Sequence, residues 1–186
     1  MKRSLVIIGC LVLLAALSFQ GKNAAPLYVF DSGSISFFSE TPVENIKAET
    51  KKYAAALNPD TKKFAFSVMM TSFQFKKKQM QEHFNENYME SEKFPKATFV
   101  GDIVEQVDLL KDGKHTINAK GKLTIHGVEK ERTLPVSIVI KGGKLTLSSK
   151  FQVKLVDHDI EVPSIVVANI AEIIDVNVEG VLKPKK

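Results

Sequence analysis

The stretch HTINAKGKLTIHGVEKERTLPVSIVIKGGKLTLSSKFQVKL, residues 115–155, alternates apolar and polar side chains in three consecutive runs. A period of two is typical of antiparallel strands with one buried face and one solvated face. The pairs His126-Gly127 and Gly142-Gly143 separate the runs, and Gly-containing pairs in this position are typical of tight hairpin turns. The stretch therefore predicts three strands joined by hairpins.

The same period extends outward through most of the chain. It predicts eight strands, over residues 27–38, 43–57, 62–73, 96–110, 114–126, 131–141, 144–156 and 172–183. Short turns favour up-and-down order, and eight such strands close into a barrel without exposed edges. Several of these strands would span roughly 35–40 Å at about 3.3 Å per residue, so the barrel is expected to be elongated. The predicted fold class is an all-β, eight-stranded antiparallel barrel, and a two-sheet sandwich remains the alternative.

A helical segment interrupts the strands in HFNENYMESEKFP, residues 83–95, and in the residues just before it. Met80, Phe84 and Tyr88 recur at a spacing of four, which places them on one helical face. Pro95 disfavours helical backbone at the residue before it and ends the segment. We expect a short helix within residues 76–91, between strands 3 and 4, that covers one end of the barrel. Both a fixed plug and a mobile lid are open at this point.

The first 25 residues have the layout of a secretory signal peptide. Lys2 and Arg3 precede an apolar run from Leu5 to Phe19, which is shorter than the roughly 20 residues of a membrane span. Cleavage between Ala16 and Ala25 would also remove Cys10, the only cysteine. The prediction is therefore a signal peptide at 1–25 and one barrel domain at 26–186, in the periplasm or, alternatively, secreted.

Composition argues against two classes of protein. The net charge is +5, or +3 without Lys2 and Arg3, and the lysines are scattered rather than clustered as a nucleic-acid surface requires. The chain has no Trp and three Tyr, too few for the aromatic girdles of a membrane barrel. The apolar faces are therefore expected to point inward, with no membrane crossing.

The four histidines offer little for catalysis. A metal could use His83 and Glu86 on the helical segment, but no second pair has ligand spacing. Asp157, His158, Asp159 and Ser164 match a catalytic triad in composition alone, without a nucleophile elbow or a phosphate loop. We predict no enzymatic activity, no metal and no cofactor.

Two motifs carry a family resemblance. The segment HFNENYMESEKFPKATFVGDI, followed by AKGKLTIHGVEKERTLPV, resembles the YceI-like family of exported lipid-binding proteins, and the similarity extends over about 28–182. The resemblance implies an elongated, lipocalin-like barrel with a helix at one end. It also implies a long isoprenoid or other amphiphilic lipid in the lumen, in the periplasm. The chain departs from the family at Gly33-Ser34, where members often have His-Ser, and at residues 155–160, where many have an Arg-Asp-Phe-Gly type segment.

The inward faces provide the candidate ligand site. Each buried methylene contributes about 0.8 kcal/mol, so a lumen lined by apolar side chains can bind a hydrocarbon chain. The predicted ligand-binding residues are Phe37, Phe66, Val68, Met80, Phe84, Phe94, Phe99, Ile117, Leu123, Val136, Ile138, Leu147, Phe151 and Val153, of which Met80, Phe84 and Phe94 would lie at the mouth. The predicted partner is a long-chain lipid or isoprenoid, and a homodimer is left open. The alternative is a non-enzymatic accessory barrel with a self-filled core that binds a protein partner.

Overall fold

The alternating runs form ten β-strands and one short α-helix within residues 24–164 and 168–185, the part of the chain that the computed structural model describes. Most of the predicted signal peptide, residues 1–23, lies outside the described residues. The elements are β1 (Tyr28–Glu40), β2 (Asn45–Thr50), β3 (Tyr53–Leu57), β4 (Lys63–Met69), β5 (Gln74–Phe75), α1 (Lys78–His83), β6 (Lys96–Ile103), β7 (Gly113–Ile125), β8 (Val128–Lys141), β9 (Lys144–Lys154) and β10 (Ile173–Pro184).

The strands close into an antiparallel barrel. The ring runs β1-β3-β4-β6-β7-β8-β9-β10, and β10 pairs back onto β1. β2 and β3 pair with β1 in one common register, since Ile35 is opposite Thr50 and Tyr28 is opposite Leu57. They are thus the predicted second strand, interrupted at residues 51–52. The predicted third strand, 62–73, is shorter than expected: β4 ends at Met69, a 3-10 turn follows at Met70–Ser72, and β5 lies just beyond the predicted end. The predicted eight-stranded barrel is confirmed.

The strand directions define two ends of the barrel. The helix end carries α1, the turns at residues 41–44 and 126–127, and the segment after β9. α1 continues into a π-helical turn at Phe84–Tyr88, so the helical segment lies within the expected residues 76–91. The loop end, opposite, carries residues 104–112.

At the loop end, the predicted length of the fourth strand is wrong. The fourth strand was expected to reach residue 110, but β6 ends at Ile103. The Asp108 carboxylate accepts a hydrogen bond from the backbone N–H of Leu110 at 3.0 Å, which stabilises a turn instead of a strand. Leu109, only 1% exposed, belongs to the hydrophobic core, so this loop closes its end of the barrel.

The closure between β1 and β10 depends on small residues. Gly33 is paired with Gly180, and the side chain of Tyr53 packs against both. The Tyr53 hydroxyl donates to the Glu179 carbonyl oxygen at 2.7 Å, and burial raises the pKa of Tyr53 to about 12. A Cβ atom on Gly33 would lie 2.2 Å from the same carbonyl oxygen, and Gly33 has a φ of +144°. No larger residue fits this position without moving a strand.

We predict that Gly180→Ala lowers the free energy of unfolding by about 2 kcal/mol, as overpacking of a core commonly does. The new Cβ would lie 2.4 Å from the Tyr53 hydroxyl oxygen, whereas the next atoms are 3.6 Å or more away. In a Tyr53→Phe background the same substitution should cost far less. Urea unfolding of the four proteins of this double-mutant cycle measures the coupling. Equal costs in both backgrounds would contradict the predicted contact.

Candidate functional site: an apolar cavity in the barrel

The inward faces of the strands do not meet across the axis. They enclose a cavity of about 440 Å³, within the range of roughly 300–1,000 Å³ typical of ligand pockets. Its wall is formed by side chains from strands around the ring and by residues of the helical segment. The barrel is therefore hollow, and the cavity is the candidate site.

Thirteen of the fourteen predicted residues line this cavity: Phe37, Phe66, Val68, Met80, Phe84, Phe99, Ile117, Leu123, Val136, Ile138, Leu147, Phe151 and Val153. Phe94 is not among the lining residues. Its ring packs against the ring of His126, with centroids 4.5 Å apart, and against Gly127. Phe94 thus fastens the helical segment to the β7–β8 turn. Contact between the thirteen residues and a ligand stays a prediction.

Further lining residues come from β1, β10 and the loop end. Among those not singled out from the sequence are Ile35, Leu57, Phe64, Ile103, Leu134, Leu145, Val176, Val178 and Leu182. Many occupy inward positions of the alternating runs, so the period of two could have found them. They were not among the predicted ligand-binding residues because alternation identifies only the inward face of a strand. Whether an inward side chain lines the cavity also depends on how far the neighbouring side chains extend.

An aromatic cluster covers the cavity at the helix end. Phe84 lies 5.3 Å from Phe37, 5.9 Å from Phe73 and 5.1 Å from Phe75, measured between ring centroids. Such aromatic pairs contribute about 0.5–1.5 kcal/mol beyond the area they bury. The helical segment is therefore held over the cavity by side-chain packing, as the spacing of Met80, Phe84 and Tyr88 predicted.

Hydrogen bonds also fasten the helix end. The Nδ1 atom of His126 donates to the His158 carbonyl oxygen at 3.1 Å, and its Nε2 atom lies 2.9 Å from a carboxylate oxygen of Glu90. Glu90 follows the helical segment, and His158 lies in the 3-10 turn after β9. One imidazole ring thus ties together three segments at this end.

Three polar side chains on the wall are engaged with protein partners. The Ser149 hydroxyl donates to the Pro135 carbonyl oxygen at 2.7 Å, and the Ser39 hydroxyl oxygen accepts from the backbone N–H of Ala171 at 2.9 Å. At the rim, Glu44 lies 3.2 Å from the ammonium group of Lys77. The interior consequently presents mostly hydrocarbon to a guest molecule.

The residues considered for catalysis do not come together. His158 is fully buried, and its Nδ1 atom donates to the Val128 carbonyl oxygen at 3.1 Å. Among the described residues, its Nε2 atom is buried and has no hydrogen-bond partner. His83 and Glu86 are both exposed, and the described residues contain no group of three or more metal-ligating side chains. His158 is therefore packed inside the fold, with its ring bonded to the backbone of β8.

We predict that His158 makes stability depend on pH. Burial lowers the pKa of His158 below its ordinary value of 6.5. The unfolded chain then binds a proton that the folded protein does not, so stability is lost as pH falls below about 6.5 towards the lowered pKa. The free energy of unfolding, measured from pH 7.5 to 5, should fall more steeply for the parent protein than for His158→Asn.

His83→Gln is the matched control, because His83 is exposed on α1. Its stability should follow the parent curve. A His158→Asn curve parallel to the parent curve would contradict the assignment.

The described residues thus form a closed antiparallel barrel with an apolar interior cavity, the class of fold that can hold one small ligand inside the ring. The sequence model of the YceI-like domain matches residues 28–182, and the chain belongs to the YceI-like family. Among the described residues, no helix is both long and apolar enough to cross a bilayer.

Solved structures share this fold at low sequence identity. A polyisoprenoid binding domain from Saccharophagus degradans, implicated in plant cell wall breakdown, has a TM-score of 0.75 and 10% identity, covering 87% of this chain and 99% of its own. BcnA from Burkholderia cenocepacia has a TM-score of 0.68 and 20% identity, covering 80% and 95%. The YceI protein of Campylobacter jejuni has a TM-score of 0.59 and 21% identity, covering 79% and 89%. A search of curated proteins finds no match.

The two departures from the family pattern add no polar side chain to the cavity. Gly33 has no side chain and no space for one. In residues 155–160, Leu155 and Ile160 line the cavity, whereas Val156 is 76% exposed and His158 is engaged with β8. At both positions the interior is apolar.

Proposed function

We propose that this protein is an exported carrier or sequestering protein that binds a long-chain isoprenoid or other amphiphilic lipid in the barrel cavity. The observation that carries the proposal is the apolar cavity of about 440 Å³. The structural neighbour from Saccharophagus degradans, described as a polyisoprenoid binding domain, supports it.

Hydrocarbon fits this cavity energetically. The wall runs along β9 from Leu145 to Val153, a distance of roughly 26 Å at about 3.3 Å per residue. Each methylene buried there contributes about 0.8 kcal/mol, and a slender chain can bury many of them. A polar head remains better solvated at the rim, because burying it without a hydrogen bond is unfavourable.

The second candidate is an accessory barrel whose core is filled by its own side chains. The cavity disfavours it, since a self-filled core leaves few voids larger than a water molecule.

Purification without detergent, followed by native mass spectrometry and lipid extraction, distinguishes the two candidates. We expect a co-purifying isoprenoid or fatty-acid species at up to one per chain. The same spectra report whether the protein is a monomer or a homodimer. A barrel that is empty on purification and that does not take up added hexadecanol would support the accessory protein instead.

We predict that Ala97→Trp weakens lipid binding at least tenfold, about 1.4 kcal/mol. Ala97 lines the cavity, and an indole ring there occupies volume that the ligand needs. The measurement is a titration with cis-parinaric acid, which fluoresces in apolar surroundings. Ala65→Trp is the matched control, because Ala65 lies on the exposed face of the neighbouring strand β4. Equal affinities of the two variants would place the bound lipid outside the cavity.

Export is a separate proposal, supported by the basic residues and apolar run within residues 1–25. N-terminal sequencing of the protein from a periplasmic fraction tests it. We expect a mature chain that begins between residues 17 and 26. A protein that keeps Met1 and stays in the cytoplasmic fraction would contradict export without affecting the lipid-binding proposal.

A further inference from the structure

The wall of the barrel is unevenly closed, and the seam between β8 and β9 is one of its incompletely paired parts. These strands pair from Ser137 to Lys141 with Lys144 to Ser148, next to their hairpin turn. Towards the helix end, β8 stays paired with β7 as far as Val128, and β9 stays paired with β10 as far as Lys154. Within the described residues, β8 and β9 have no ladder pairs between Ser137↔Ser148 and the helix end.

Pro135 explains where the ladder stops. The Ser149 hydroxyl donates to the Pro135 carbonyl oxygen, so the backbone of Pro135 directs its carbonyl group towards β9. Proline has no N–H to donate, and a proline inside a sheet removes one ladder hydrogen bond. A side-chain hydrogen bond replaces the backbone pair at this point, and the strands separate beyond it.

Side chains bridge the open part of the seam. The guanidinium group of Arg132 donates to the Gln152 carbonyl oxygen at 2.7 Å. Nearer the helix end, the His158 ring donates to the Val128 carbonyl oxygen at 3.1 Å. Together with the Ser149 bond, these contacts hold the two strands without a continuous ladder. Separating β8 from β9 here costs three side-chain hydrogen bonds, whereas separating fully laddered strands breaks many backbone bonds.

The cavity lies directly behind the seam. Leu134 and Val136 on β8, and Phe151 and Val153 on β9, all line it. Another interruption of the ladder, between β1 and β3, is closed on both sides by paired residues and is occupied by the side chain of Tyr53. The helix end is covered by the Phe84 cluster.

We propose that the seam between β8 and β9 is a lateral portal through which a linear apolar chain enters and leaves the cavity, with Arg132 as its latch. This inference rests on the proposed function, because it concerns the route of the bound lipid. The chain slides in sideways between the strands while the aromatic cover over the helix end stays in place.

A cleavable cross-link across the seam tests the portal. In a Cys10→Ser background, Thr133→Cys and Gln152→Cys place exposed thiols on either side of the open part. A bis-maleimide with an internal disulfide joins them, and a reductant releases them. The control pair is Val139→Cys and Thr146→Cys, which face each other within the ladder.

The readout is the release rate of cis-parinaric acid loaded before cross-linking. We expect release at least tenfold slower with the seam locked, recovery after reduction, and no change with the control lock. Equal release rates for the two locked proteins would overturn the portal. Absence of binding in the unlocked protein would instead contradict the proposed function.

A second measurement tests the portal without any lipid. Val153→Cys, again with Cys10→Ser, places a thiol on the cavity wall beside the seam, and its rate of labelling by fluorescein maleimide reports access. Adding Arg132→Met should raise this rate at least fivefold. Adding Lys122→Met should not, because the Lys122–Glu129 ion pair joins strands that are fully laddered.

A thiol at Val68→Cys separates local opening from global unfolding. Val68 lines the cavity on β4, away from the seam. Arg132→Met should leave its labelling rate unchanged. Equal acceleration at both thiols, or no acceleration at Val153→Cys, would overturn the latch.

Discussion

Pairing of β1 with β10 is the interaction on which the rest of the structure depends. It removes the two edges that an open sheet would expose, and it fixes the circumference of the ring at eight strands. Gly33 and Gly180 allow the closure, and the Tyr53 hydroxyl occupies the space that they leave. The interior of an eight-stranded ring is either filled by its own side chains or left with room for one small ligand, and in this barrel the inward side chains leave a cavity.

The two ends of the barrel are closed in different ways. At the loop end, Leu109 is buried in the core and seals the interior. At the helix end, a separate segment is held over the cavity by the Phe84 ring and by the His126 bridge between Glu90 and His158. The first closure is part of the hydrophobic core, whereas the second is an added cover fastened by a few contacts. Between them, the described wall includes the weakly paired seam between β8 and β9, which we propose as the route to the interior.

Much of the fold could be predicted from the sequence because its dominant signal is local. Alternation within residues 115–155 is a property of neighbouring residues, and it placed the strands and their inward faces correctly. The spacing of Met80, Phe84 and Tyr88 is equally local and predicted the helical cover. The breaks at residues 51–52 and after Ile103 were missed, because the expected strands were continued through the local turns there, where the Thr50 and Asp108 side chains accept backbone hydrogen bonds from Lys52 and Leu110.

The candidate site was predicted less completely, because several of its features depend on contacts between residues that are far apart in the sequence. Phe94 has the apolar character of a cavity residue, yet its ring packs on His126, a partner that becomes adjacent only in the folded chain. The seam is likewise a long-range feature: Pro135 is visible in the sequence, but its consequence depends on β9 lying beside it. His158 and its acidic neighbours matched a triad in composition alone, and the burial of the His158 ring is a property of the folded chain that its neighbours in sequence do not reveal.

Nuclear magnetic resonance tests most directly whether a hydrocarbon chain binds inside the barrel. The protein is labelled at the Ile, Leu and Val methyl groups, and hexadecanol is added. The account predicts nuclear Overhauser effects between the methylene protons of the alcohol and the methyl groups of Ile117, Leu145 and Leu147, all of which face the cavity. Effects confined to exposed methyl groups such as those of Val43 and Val139, with the interior methyl groups unperturbed, would contradict it.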